Sequence, residues 1–212
     1  MPKETYTGIP LPDLVREAMD LARELGFPLA PEGCPGDYQG PPTACIPQVG
    51  RLLQVLASAR PGGLVGEQGA GAGVGTAWLA SGLRAGARLV TAEIDPALAA
   101  GVARLFAGRP DVDVRAGDWR EALAGEGPFD LLFMDAMPAA DLEPENWDRA
   151  TELVRIGGHI VMDDLTPVEL WPAHWHDFVD RKRDFAFANP RVAGTEIRTT
   201  PVTSALLLTR LR

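Results

Sequence analysis

The sequence predicts an α/β fold, a doubly wound and mostly parallel seven-stranded sheet that ends in an antiparallel hairpin. Three observations carry this expectation. From residue 63 onward, short apolar runs alternate with helix-spaced segments, the pattern of parallel strands joined by crossover helices. Leu64 to Leu79 carries an apolar strand through Glu67, Gly69, Gly71 and Gly73 into a helix, the kind of joint at which open sheets bind ligands. The last two strand-like segments are separated only by Thr200, Pro201 and Val202, which suits a hairpin.

Each element follows from local patterning. Leu11 to Gly26 places Leu14, Val15, Ala18, Met19, Leu21, Ala22 and Leu25 at helical spacing with charges between them, and Pro47 to Ala59 repeats the period at Val49, Leu52, Leu53, Val55 and Leu56. Phe27 to Pro42 is rich in Pro and Gly without period and reads as a loop. The expected strands are Leu64 to Glu67, Arg88 to Ile94, Val112 to Arg115, Asp130 to Asp135 and His159 to Asp163, followed by Val192 to Thr199 and Ser204 to Thr209. A charged helix is expected near Trp175 to Phe187, with Arg181, Lys182 and Arg183 on a solvated face. The economical organisation is one domain over 1–212: N-terminal helices and loop over 1–60, then a ligand-binding α/β core over 61–212.

Composition narrows the function. The 212 residues are 46% hydrophobic with a net charge of −9, enough to bury a sizeable core and acidic enough to repel a nucleic-acid backbone. Cys34 and Cys45 form no Cys-x-x-Cys pair, the N-terminus shows no apolar stretch of signal-peptide length, and no uncharged apolar run approaches a membrane span. A cytoplasmic protein with no membrane association is the expectation.

The glycine-rich turn narrows it further. Gly71, Gly73 and Gly75 are spaced by two, so the Gly-x-Gly-x-x-Gly dinucleotide fingerprint is not met, and no Gly-Lys-Ser/Thr follows as a P-loop requires. Glu67 would be wasted beside a phosphate and useful beside an amino group. Glu93, at the tip of the next strand and 20 residues after Gly73, stands where a βαβ unit places a carboxylate for two ribose hydroxyls. A nucleoside joined to an amino acid means S-adenosylmethionine. On Glu67-x-Gly69-x-Gly71-x-Gly73 and Glu93, the sequence resembles the class I S-adenosylmethionine-dependent methyltransferases, which implies a Rossmann-like sheet whose seventh strand inserts antiparallel. The candidate cofactor-binding residues are Glu67, Gly69, Gly71, Gly73, Glu93, Ile94, Gly117, Asp118, Trp119 and Asp135. Within Val112 to Trp119 the resemblance implies that Asp118 receives the adenine amine, while Asp118 can also cap the helix Trp119 to Leu123.

Three further acids close strands: Asp135 after Phe-Asp-Leu-Leu-Phe-Met, and Asp163 and Asp164 after Gly-Gly-His-Ile-Val-Met. Crowded carboxylates repel unless they share a cation, and an oxygen-only set suits a hard ion such as Mg²⁺, or Ca²⁺ or Mn²⁺. The alternative is a strand-terminal cap or turn. With Pro47-Gln48-Val49-Gly50 ahead of a Leu-rich helix, the arrangement resembles the cation-dependent, catechol-type O-methyltransferases. That resemblance implies a metal at Asp135, Asp163 and Asp164 that orients a hydroxyl acceptor.

Two positions depart from that family. Pro138 stands where it has a proton-accepting Lys, and Asp164 where it has Asn. Asp141, His174 and His176 are the replacement candidates for the base, with Asp135 beside the reacting groups; the plainer alternative is that Trp171 and Trp175 pack a helix and the histidines are partly exposed. The expected activity is methyl transfer to a small-molecule hydroxyl. A metal-independent methyltransferase, a non-catalytic S-adenosylmethionine-binding protein and a transfer-RNA methyltransferase are the alternatives, the last disfavoured by charge. A homodimer is implied by resemblance alone.

Overall fold

Alternation along the central strands sorts the core into two layers. The computed structural model describes residues 10–29, 41–135, 144–175, 177 and 179–212. Within these, Val65, Leu89, Leu131, Phe133 and Val161 face one side of the sheet, while Val90, Leu132, Met134, Ile160 and Met162 face the other. A pleat of period two gives each face its own apolar set. Helices α1 (Asp13–Glu24), α2 (Pro47–Ser58), α3 (Val74–Gly82) and α4 (Pro96–Leu105) supply Val15, Leu53, Ala77 and Val102 to the first layer. Helices α5 (Trp119–Ala122), α6 (Pro144–Leu153) and α7 (Arg181–Ala188) supply Trp119, Trp147 and Phe185 to the second. Burying each large side chain contributes roughly 1.5–3 kcal/mol.

The sheet contains β1 (Leu64–Gln68), β2 (Arg88–Glu93), β3 (Val112–Ala116), β4 (Phe129–Met134), β5 (Val154–Leu165), β6 (Val192–Arg198) and β7 (Ser204–Arg210) in the order β3-β2-β1-β4-β5-β7-β6. The first five are mutually parallel, and β7 runs antiparallel to both β5 and β6. The expected doubly wound sheet and its terminal hairpin are present. Because β1 pairs with β2 on one side and β4 on the other, strand order reverses there, and a crevice opens at the carboxyl ends.

Two boundaries and one exposure differ from expectation. Strand β5 begins at Val154 rather than His159; Gly157 adopts φ 78° and the register with β4 shifts there, so the glycine pair is an irregularity within a strand rather than its boundary. The charged helix starts at Arg181, and Trp175 instead closes a 3₁₀ turn, Ala173–Trp175. Pro172, which has no N–H to donate, precedes that turn. The basic run is also not a solvated face. Arg183 is buried against Glu196, with Nε–Oε2 2.9 Å and Nη2–Oε1 2.7 Å, and pairs with Asp180 as well.

Helices α2 and α3 approach closely at one glycine. A Cβ on Gly50 would lie 2.2 Å from the ring of fully buried Trp78, a distance that requires the helices to part. Gly50→Ala is therefore expected to destabilise the protein by about 1–3 kcal/mol, lowering the thermal midpoint by roughly 2–4 °C per kcal/mol. An unchanged midpoint by calorimetry would show that the Trp78 packing is not rigid.

Candidate cofactor and acceptor site

The turn after β1 is held by backbone bonds that only a glycine-rich segment can make. Gly69, Gly71 and Gly73 adopt φ 86°, 52° and 86°, the left-handed region that disfavours side chains. Gly69 and Ala70 N–H both donate to Ala92 O, at 2.9 and 3.1 Å, and Gly73 N–H donates to Ala70 O at 2.8 Å. Gly73 caps α3 without a side-chain hydrogen bond, leaving its first turn to face the crevice with N–H groups that lack helical partners. A Cβ on Gly71 would meet the Phe27 ring at 3.0 Å. Phe27 therefore lies over the turn, a role that the unpatterned loop around it gave no reason to expect.

Both glutamates are turned inward. Glu67 is fully buried; its Oε2 accepts from Thr76 Oγ1 at 2.5 Å and Thr91 Oγ1 at 2.6 Å. Its Oε1 has no hydrogen-bond partner among the described residues. Burial pushes its carboxyl up to about 7 against the two threonine bonds, with Glu93 adding a smaller push. Glu93 accepts from Gly71 N–H at 2.7 Å and Asp95 N–H at 2.9 Å, so the expected ribose acid holds the glycine turn in the free protein. Ile94, just past β2, is 71% exposed.

Gly117 N–H donates to Glu93 O at 2.8 Å, placing the start of α5 beside the same crevice. Asp118 caps α5 through Arg120 N–H at 2.8 Å, and its carboxylate also pairs with the Arg120 guanidinium. Those bonds hold its pKa below the usual carboxylate range. The capping role is therefore present, and an adenine amine would have to share this carboxylate with Arg120. Trp119 is buried.

At the neighbouring tips, the three aspartates act on one another. Asp135 follows β4, with its N–H donating to Gln68 O at 3.1 Å. Burial, then Asp164, Asp163 and Glu67, push its carboxyl well above the ordinary range. Asp163 is 5% exposed and is pushed up to about 7 by burial and then by Asp164. Asp164 touches solvent yet lies deep enough among its neighbours for desolvation to raise it. It adopts φ 61° where the β5–β7 register shifts, a left-handed conformation that aspartate tolerates better than most residues.

The expected metal set is not assembled. Among the described residues, no group of three His, Cys, Asp or Glu side chains could hold an ion. The aspartates lie within electrostatic reach of each other without converging at ligand distance, so the residues do not fit the implied metal. The cation beside them is Lys182, which donates to Asp163 O at 2.7 Å and draws all three carboxyls back toward the ordinary range.

Of the replacement candidates for the base, only His174 lies among the described residues. His174 is exposed on a 3₁₀ turn with its ring 6.1 Å from that of Trp175. Asp141, Pro138 and His176 lie outside the described residues, as does Cys34. Trp171 is half-buried beneath the Arg183 guanidinium, 5.6 Å from its ring centre, and does pack against α7.

Comparison with known proteins agrees with this geometry. Residues 67–165, which run from Glu67 to the end of β5, match a family described as a methyltransferase domain. The match covers just under half of the chain, and over that stretch the chain is similar to a methyltransferase domain. A protein of Mycobacterium sp. (strain KMS), whose name places it among the O-methyltransferases, is 36% identical over 132 residues, covering 56% of this chain and 56% of that relative. The chain thus matches little more than half the length of that curated relative. Among solved structures, an O-methyltransferase from Bacillus cereus in complex with S-adenosylhomocysteine superposes with a TM-score of 0.71 at 24% identity, covering 95% of this chain and 93% of that one. The O-methyltransferase TomG from Streptomyces achromogenes, in complex with S-adenosylmethionine, gives 0.73 at 24% identity over 96% and 92%.

Several residues of the site escape sequence reasoning. Thr76 and Thr91, which hold Glu67, carry no motif, although Thr91 pairs with Glu67 in the β1–β2 register. Cys45 is buried, and its thiol is pushed up by burial first and then by Asp135, Asp163, Glu67 and Asp164, which places it beside the acid cluster.

The buried Glu67 makes a pH prediction. With its folded pKa raised from 4.5 to about 7, the native state keeps a proton that the unfolded chain has released, so stability falls as pH rises through that window. The Glu67 share is on the order of 3 kcal/mol. Urea midpoints of the cofactor-free protein should drop between pH 5 and 8, and Glu67→Gln should make that drop shallower. Equal drops in the two proteins would show that Glu67 is ionised when the crevice is free.

Proposed function

We propose that this chain transfers the methyl group of S-adenosylmethionine to a hydroxyl oxygen of a small molecule. The observation that carries the reading is the pair of buried glutamates flanking a left-handed glycine turn at the point where strand order reverses. The fit is chemical as well as topological. An unpartnered Glu67 Oε1, a turn whose backbone is bare of side chains and a strand-tip Glu93 already bonded to that turn suit a ligand with an amine at one end and a ribose at the other. When bound, the cofactor supplies a methyl carried on a positive sulfur.

The chain's own part is binding, orientation and charge. Gly69, Gly71 and Gly73 permit close approach, and Glu93 can exchange its Gly71 bond for ribose hydroxyls at little cost because one acceptor serves both. Ile94 offers an exposed apolar surface beside Glu93 for a flat base, and the Gly117 bond to Glu93 O brings Gly117, Asp118 and Trp119 to the same end of the sheet. Asp135, Asp163 and Asp164 make the acceptor side acidic, so a positive sulfur nearby would favour their ionised forms and anionic acceptors are disfavoured. Orientation of two reactants in such a crevice supplies much of the rate in transfer reactions. A polyanionic nucleic-acid acceptor fits this potential poorly.

Calorimetric titration with S-adenosylhomocysteine tests the reading. Binding in the micromolar range is expected, and Glu93→Ala should weaken it by about tenfold or more, the loss of one to two charge-assisted hydrogen bonds. Absence of heat at millimolar ligand would overturn the assignment.

A further inference from the structure

The acid cluster at the tips of β4 and β5 already contains a cation supplied by the chain itself. Lys182 is the second residue of α7, half-buried, with its ammonium donating to the main-chain oxygen of Asp163 at 2.7 Å. Its position is fixed by its neighbour. Arg183 pairs with Asp180 and Glu196 and donates to Thr166 O at 2.8 Å, which fastens the start of α7 to the end of β5 and to β6. Lys182 therefore projects from an anchored turn toward the tip of β5.

Its charge acts on the whole cluster. Asp163 and Asp164 are consecutive on β5, and β4 pairs beside it with Met134 opposite Met162, so the carbonyl that Lys182 holds lies next to all three carboxyl-bearing residues. A hard divalent ion needs several oxygens converging at about 2.0–2.6 Å, and among the described residues no three candidate side chains converge. An ammonium beside these carboxylates satisfies the same need for positive charge without that convergence, and it repels a second cation.

We propose that Lys182 takes the place of a divalent metal in this chain, serving as a built-in counter-ion that keeps the β4 and β5 tips closed to metal ions. Lys182 is a positioning residue: through Asp163 it sets the charge and placement of the aspartates that face the acceptor. The inference rests on the methyl-transfer reading for its consequence in turnover, but the exclusion of metal is measurable on the free protein.

The experiment titrates Mn²⁺ and follows the free ion by electron paramagnetic resonance, with the Asp164→Gly counterpart of each protein, which removes the carboxylate and tolerates the left-handed backbone, isolating the part of binding that depends on Asp164. The wild type and Lys182→Arg are expected to show no Asp164-dependent binding up to about millimolar Mn²⁺. Lys182→Gln, which keeps a donor for Asp163 O and loses the charge, should gain such binding by about tenfold or more. Lys182→Met provides a second charge-removing variant, and far-ultraviolet circular dichroism verifies that each protein is folded. Asp164-dependent binding in the wild type at micromolar Mn²⁺ overturns the proposal even if no variant folds, and so does equal affinity in wild type and Lys182→Gln. Failure of the methyl-transfer reading would show separately, as absent S-adenosylhomocysteine heat with the Mn²⁺ contrast intact.

Discussion

The arrangement depends on one joint, where β1 gives way to α3. Three residues in left-handed conformation turn the chain within a few ångströms, and the turn is fastened on one side to Ala92 O and on the other to the Glu93 carboxylate. Side chains at those positions would block both the conformation and the approach of a ligand backbone to backbone. Because β1 lies between β2 and β4 in the sheet, the joint also decides which strand tips surround the crevice. Every acid assigned to the site comes from a strand that ends there or from the turn just after it.

That topology concentrates negative charge in a poorly hydrated place. Glu67, Asp135 and Asp163 all have raised pKa values because burial penalises their ionised forms. Such clusters cost stability unless protons or cations offset them. The threonine bonds to Glu67 and the Lys182 ammonium are the offsets that the chain carries by itself. A ligand bearing positive charge would complete the balance, which links the fold's electrostatic cost to the function proposed for it.

Much of this was legible in the sequence, for identifiable reasons. The seven strands follow from apolar runs bounded by turn residues, and Gly69, Gly71, Gly73 and Glu93 follow from a spacing that few other sites require. What could not be read was contact between distant segments. Phe27 meets Gly71 across a loop without period, and Thr76 and Thr91 converge on Glu67 from different elements. Lys182 sat in a basic run that composition alone assigns to solvent; Arg183 is buried because Glu196 waits on β6, thirteen residues away and invisible to local pattern. The metal expectation arose from three carboxylates being adjacent along strand tips. Adjacency gave electrostatic coupling, while convergence at ligand distance depends on side-chain direction, which Asp164 alters through its left-handed backbone.

The most direct test of the account follows the Gly71 amide by nuclear magnetic resonance while S-adenosylhomocysteine is added. In the free protein this N–H donates to Glu93; if the turn is the cofactor cradle, its resonance and that of Asp95 should move more than any in the β6–β7 hairpin. Saturable binding that leaves Gly71 and Asp95 unmoved would contradict the account, because the ligand would then occupy some other part of the molecule.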